Sequence, residues 1–484
     1  MKNTLLFTFA ILLSRTYALQ VHGNPHALWS CLSGKGWDLE TISNPNFTAD
    51  SLAFNRRLSF EPVAIVSPST AEDVSGIVKC AAENRFPVSA LSGGHSYAAF
   101  GLGGQNGQVV VNLHKMKNIT LYANGTVTSQ TGNRLGDLAS AIWFQGKRAL
   151  PHGTCPYVGS GGHAGYGGFG LFSRQEGLLI DKIVSAQVVL ANGTIVTASN
   201  TSHTDVFWAI RGSSPSFGIV TAYNFQTVPA PPTNIVFTLN WTESLNQSQF
   251  VDAFAEFQKF SEIAPNELGF DGDLAPDGKG GINLSFLGVW HGGASKFNST
   301  ISPFLSKLPP KFNFNATNYD WFGQVEFLAG GRPPDKFFAK SLMTTTPASH
   351  AALNSFAKFL YTEGVKSDTN WFIGFDLYGG KISQVASNAT AYANRNAFIT
   401  YQFYASAPSI TVPYPRDGIR FVTNMLHSLE PNPQEAYPNY IDPTLSSAEW
   451  KKQYFGPNYD ELARIKRNLD PTGVFSFPQS IGSA

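Results

Sequence analysis

The sequence predicts an α+β protein of two domains: an α/β N-terminal half, and a second half built on an antiparallel sheet backed by helices. Three observations predict it. Residues 62–91 alternate strand, helix and strand. A proline cluster, Pro229-Ala-Pro-Pro232, then punctuates the chain. Beyond it, strand-like runs alternate with amphipathic helices. No internal repeat or low-complexity tract interrupts this pattern. The 484 residues allow two or three domains at roughly 150 residues each, and a 43% hydrophobic content is enough to give them cores.

Taken in order, residues 1–18 read as a secretory leader. Lys2 precedes an apolar run from Leu5 to Leu13, and the small-residue site Thr16-Tyr17-Ala18 follows. That run is shorter than the ~18 residues needed to span a bilayer, and no later segment reaches this length, so a secreted, extracellular protein without a membrane anchor is expected. After an irregular segment, 19–57, Pro62–Val66 reads as a strand. Thr70 is a helix N-cap with Asp73 three residues on, and Val74, Ile77, Val78 and Ala81 recur at helical spacing. Pro87–Leu91 and Gln108–Leu113 return as strands, and Leu135, Leu138 and Ile142 mark a helix. Ile183–Leu190 and Thr194–Ala198 flank Asn192-Gly193, a hairpin signal. Asp205–Arg211 reads as helix and Gly218–Val228 as strand, closing a first domain at 58–230.

From Thr233 the pattern changes. Asn234–Leu239, Asn283–Val289 and Trp371–Leu377 read as strands, and Phe250–Phe260 and Ile419–Leu429 as amphipathic helices, which gives a second domain at 231–438. The last segment, 439–484, contains a short helix at Tyr459–Leu469, stopped by Asp470-Pro-Thr-Gly473.

Charge narrows the function. Charged residues make up 14% of the chain and the net charge is +1, against about 25% charged residues in ordinary domains. A nucleic-acid or anionic-membrane partner is therefore excluded, and a neutral small molecule fits better. Asn-x-Ser/Thr sequons spread from Asn46 to Asn388 indicate a glycoprotein. Of three cysteines, Cys31 pairs naturally with Cys80, leaving Cys155 either a reactive thiol or a buried inert one.

Two glycine-rich stretches carry the chemistry. Ser92–Gly104 reads SGGHSYAAFGLGG, directly after a strand. Gly159–Gly170 reads GSGGHAGYGGFG, just beyond Cys155. Glycine lets backbone amides approach an anion or a flat ring, so the two loops suggest a cofactor gripped from two sides. The nicotinamide fingerprint, the P-loop, zinc spacing and the GxSxG elbow are all absent, and no metal site is expected.

The motifs SGGHSYAAFG, GTCPYVGSGGHAGYGGFG, YPNYID at 437–442 and YFGPNYDELARIKRNLDPTGVFSFPQSI resemble those of the vanillyl-alcohol-oxidase-type flavin enzymes. Within these they are similar to the berberine-bridge-enzyme-like branch, near the fungal gluco- and chito-oligosaccharide oxidases. The resemblance covers nearly all of the chain after the leader. It implies a PCMH-type FAD-binding domain completed by 439–484, with 231–438 as the substrate-binding domain. It also implies FAD attached covalently through both His95, at the 8α-methyl, and Cys155, at C6. Gly93, Gly94 and Ser96 would approach the pyrophosphate, Gly159, Gly161 and Gly162 would admit the ring, and His163 would hydrogen-bond near its ribityl and pyrimidine side. Val158 would leave room for dioxygen, as in oxidases.

In the same branch Tyr440 matches the catalytic base, with Asp376 accepting its phenolic proton through a hydrogen bond. Tyr97 and Gln402 match substrate contacts. The resemblance implies an enzyme that oxidises C1 of a reducing oligosaccharide, with dioxygen reduced to hydrogen peroxide and a lactone formed; a monomer is expected. The alternative is oxidation or oxidative cyclisation of a secondary metabolite. Gly374, which stands where gluco-oligosaccharide oxidases carry a polar sugar contact, keeps that alternative open.

Overall fold

A computed structural model describes residues 23–331 and 333–482; the expected leader, 1–18, lies outside them. Thr70 caps the helix Ala71–Glu83 as expected: its side chain accepts from the Asp73 amide, and the Asp73 carboxylate accepts from the Thr70 amide. The strands on either side, Ala64–Ser67 and Val88–Leu91, are parallel but not adjacent, because Val109–Asn112 lies between them. Asp38–Glu40 extends this four-stranded sheet antiparallel to Ala64–Ser67. The hairpin at Asn192-Gly193 forms, with Ile183–Val189 pairing Ile195–Ser199 in a five-stranded antiparallel sheet.

The third sheet has seven antiparallel strands. In spatial order they are Phe312–Tyr319, Asn234–Trp241, Ile282–Trp290, Leu268–Pro276, Asn370–Leu377, Ile399–Ser406 and Phe337–Thr344. Alternation splits its faces. Ile373, Phe375, Tyr401 and Phe403 point into a core shared with the helices Gln247–Ile263, His350–Thr362 and Gly418–Leu429. Phe372, Gln402, Tyr404 and Asp273 point to the other side, into a cavity.

The C-terminal segment returns to the N-terminal half. The Val88 amide donates to the Val474 carbonyl (2.7 Å), and Gln108 Nε2 donates to the Ser476 carbonyl (3.0 Å). Trp450, Tyr454, Leu462 and Phe477 share one core with Leu138, Ile180 and Phe207. The disulfide Cys31–Cys80 ties helix Pro25–Ser33 to helix Ala71–Glu83, and Cys155 is a free thiol. Among the described residues no helix is long and apolar enough to cross a membrane, and no cluster of ligating side chains could hold a metal ion.

Candidate active site

A cavity of about 770 Å³ opens between the glycine-rich loops, the outer face of the seven-stranded sheet and the loop 437–441. The two glycine loops touch backbone to backbone. A Cβ on Gly93 would lie 2.3 Å from the Gly159 nitrogen, and one on Gly159 would lie 2.1 Å from the Gly93 nitrogen. Any side chain at either position would force the loops apart. Gly94 adopts φ +76°, which L side chains rarely tolerate. Gly162 has open space before it on the cavity wall. Ser92 Oγ donates to the Thr131 carbonyl and accepts from the Gly161 amide (3.3 Å), and Ser96 Oγ accepts from the Phe100 amide (3.1 Å), so both serines hold their loops in shape.

His95, Cys155, Val158 and His163 all line this one cavity, although they lie up to 68 residues apart in the chain. Burial, helped by the nearby Arg134 charge, pushes the His95 imidazole down to about 4, so it is neutral at ordinary pH. His163 is pushed down to about 3 by burial and by His152. Its Nε2 accepts from the Gly153 amide (3.0 Å), which leaves only the Nδ1 side for any other partner.

Tyr97 and Tyr440 stack with ring centroids 5.8 Å apart and planes at 6°, and Gln402 Nε2 donates to the Tyr97 hydroxyl. The loop carrying Tyr440 is pinned through Tyr437. The Tyr437 hydroxyl accepts from the amides of Gly168 (3.2 Å) and Phe169 (3.0 Å) and from Asn439 Nδ2 (2.9 Å). Burial, together with Asp376, Tyr97 and Tyr437, holds the Tyr440 phenol well above its usual range.

Asp376 stands opposite Asp271 in the register of two paired strands, and Asp273 stands opposite Gly374. Burial and the Asp273 charge push Asp376 up to about 7; Asp271 is likewise held well above its usual range, by burial and by the Asp376 and Asp273 charges. Asp376 influences Tyr440 through space only, because neither side chain makes a hydrogen bond to the other or to any described residue. The cavity wall itself presents Asp273 rather than Asp376.

Sequence reasoning overlooked Phe54, Asp273, Phe372 and Tyr404, which also line the cavity. Tyr437 was visible in the YPNYID motif. Phe54 gave no signal, since it sits in a segment without periodicity.

Comparison with known proteins agrees with this arrangement. Residues 62–199 match the family described as "FAD binding domain", and residues 436–482 match "Berberine and berberine like". The chain is 37% identical to an FAD-linked oxidoreductase, dpmaF, of Metarhizium anisopliae over 95% of this chain and 91% of that one. It is 35% identical to a xylooligosaccharide oxidase of Thermothelomyces thermophilus over 97% and 98%. This chain belongs to the berberine-like FAD-linked oxidoreductases.

Solved structures of the family superpose closely. A chitooligosaccharide oxidase aligns with a TM-score of 0.89 at 34% identity, over 95% of this chain and all (100%) of that one. A glucooligosaccharide oxidase from Acremonium strictum, which carries 6-S-cysteinyl, 8α-N1-histidyl FAD, aligns at 0.87 with 30% identity, over 94% and 99%. The cavity of this FAD-linked oxidoreductase fits the cofactor. Gly162 leaves its part of the wall as bare backbone, a neutral imidazole and a free thiol reach the same space, and its volume falls within the roughly 300–1,000 Å³ of ligand pockets.

Proposed function

We propose that this FAD-linked oxidoreductase is a secreted, monomeric carbohydrate oxidase. It removes hydride from C1 of a reducing oligosaccharide, with dioxygen as final acceptor, and yields hydrogen peroxide and a lactone. The observation that carries this reading is the stacked Tyr97–Tyr440 pair, bonded to Gln402, in one cavity with His95 and Cys155. Residues 58–230 and 439–484 form the FAD-binding side, and 231–438 the substrate side.

FAD, tethered by His95 and Cys155, supplies the two-electron acceptor for the hydride. Gly93, Gly94 and Ser96 bring backbone amides to its pyrophosphate. Gly162, with open space before it, would admit its ring, whereas Gly159 and Gly161, expected beside it, pack against Gly93, Ser92 and Thr131 and instead keep the two loops in contact; His163 Nδ1 would hydrogen-bond beside the ring, and Val158 would leave space for dioxygen. Tyr97 and Gln402 orient the sugar. Tyr440 takes the proton of the reacting hydroxyl. Because its own phenol is held protonated, it accepts this proton only while passing its own to Asp376, which lies behind the cavity wall and is reached through a bridging water. Asp376 is anionic above about pH 7 and can receive it.

A second reading, oxidation of a flat secondary metabolite, is favoured by Gly374. A Cβ there would meet nothing nearer than Asp273 Oδ1 (3.6 Å) and Gln402 Oε1 (3.9 Å), and the packed aromatic rings of Phe372 and Tyr404 line the same cavity.

The deciding experiment measures peroxide release from purified, flavin-loaded protein given cello-, xylo-, chito- and malto-oligosaccharides. Turnover on at least one series is expected. Silence on every series would overturn the carbohydrate assignment and leave the second reading.

A further inference from the structure

We propose that Phe54, in the N-terminal segment, is the positioning residue that holds the His95 imidazole in the orientation required for covalent attachment of the flavin. The inference rests on the reading above that His95 is a point of attachment.

An imidazole that must present one nitrogen to a partner is usually fixed by a hydrogen bond from the other. His95 has no such bond among the described residues. Among the described residues its one ring contact is Phe54, stacked at a centroid distance of 4.1 Å with planes at 23°. Phe54 in turn packs edge-on against Phe337 (5.9 Å, 70°), so its ring is held between the histidine and the first residue of a strand.

The backbone around Phe54 is equally constrained. The Asp335 amide donates to the Phe54 carbonyl (3.1 Å), and the Arg56 amide donates to the Asp335 carbonyl (2.7 Å). Asn55, 1% exposed, donates from Nδ2 to the Tyr97 carbonyl (2.9 Å) and accepts at Oδ1 from the amides of Phe337 (3.3 Å) and Arg57 (3.2 Å). Residues 54–57 thus form a strap from the sheet to the loop of His95 and Tyr97. With its imidazole neutral at ordinary pH, His95 already carries a free nitrogen lone pair, and what its surroundings add is a fixed ring plane.

In the attachment step a ring nitrogen of His95 forms a bond to the 8α-methyl carbon, a C–H bond of that methyl and the imidazole N–H break, and two protons leave. The two electrons released pass through the isoalloxazine to dioxygen, which takes them up with two protons to give hydrogen peroxide.

The test uses a Cys155→Ala background, in which the histidyl link is the sole covalent tether. The flavin retained after denaturation is measured together with the mass of the His95 tryptic peptide. Cys155→Ala alone is expected to retain its flavin, and His95→Ala/Cys155→Ala none. Phe54→Ala/Cys155→Ala should lose at least tenfold of the covalent flavin while still binding it noncovalently, and Phe54→Tyr/Cys155→Ala should restore the link. Phe54→Leu, which keeps apolar volume without a ring face, should behave as Phe54→Ala and serves if the alanine variant fails to fold. Covalent loading in the alanine or leucine variant equal to that of Cys155→Ala would overturn the proposal. Absence of histidyl flavin in Cys155→Ala itself would overturn the attachment reading instead.

Discussion

In the proposed mechanism, Tyr440 and Asp376 set the pH behaviour of the site. A carboxyl pushed up to about 7 is protonated below that pH and cannot accept the phenolic proton. The rate is therefore expected to rise with pH through about 7 and then level off, and Asp376→Asn should both lower the plateau and abolish the limb, as read from kcat/KM profiles. The same raised pKa acts on stability with a fixed sign. A folded pKa above the unfolded value of 3.8 means that stability is fully present below about pH 4 and is lost as pH rises through about 7. Asp376→Asn should accordingly be more stable than the parent at pH 8, by up to ~4 kcal/mol, since a tenfold change in an ionisation constant corresponds to ~1.4 kcal/mol. Near pH 4 the two should be equal by thermal unfolding. Tyr440→Phe should reduce kcat by ~100-fold or more, the scale of a lost general base, with the bound flavin spectrum intact.

Strand Phe337–Thr344 does more than close the edge of its sheet. Three of its residues grip the segment that carries Tyr440. Lys340 forms a buried ion pair with Asp442, Ser341 Oγ accepts from the Tyr437 amide (2.8 Å) and donates to its carbonyl (3.2 Å), and the Met343 amide donates to the Glu435 carbonyl (2.9 Å). Lys340→Met leaves the Asp442 carboxylate buried and unpaired, which costs ~3–5 kcal/mol. A lower unfolding midpoint and a lower kcat are both expected, and Lys340→Met/Asp442→Asn should recover most of the stability. This strand escaped the sequence reading. Phe-Phe-Ala-Lys-Ser-Leu-Met-Thr is buried on both faces, so it lacks the alternation that marked Trp371–Leu377. Ile399–Ser406 escaped for the same reason.

At the scale of the whole molecule, the chain leaves the flavin side after the five-stranded sheet, builds the seven-stranded sheet and then comes back. The N-terminal helix is fastened by the Cys31–Cys80 disulfide across 49 residues. Closing a loop of that length contributes ~4 kcal/mol by chain entropy. Cys31→Ala/Cys80→Ala, or reduction of the parent, should therefore lower the unfolding midpoint without altering the flavin spectrum.

Alternation, capping and glycine runs determined from the sequence alone the β-α-β start, the hairpin, the long amphipathic helices and the two loops that hold His95 and Cys155. These are local signals, each written within about a dozen residues. Only the tertiary structure decided that Val109–Asn112 separates two strands that are neighbours in the chain. Only it placed Asp273 on the cavity wall, kept Asp376 from hydrogen-bonding Tyr440, and set Phe54 against His95. The reason is physical: strand order, cross-strand register and ring stacking are contacts between residues tens to hundreds of positions apart, and no local periodicity encodes which distant partner a side chain will meet.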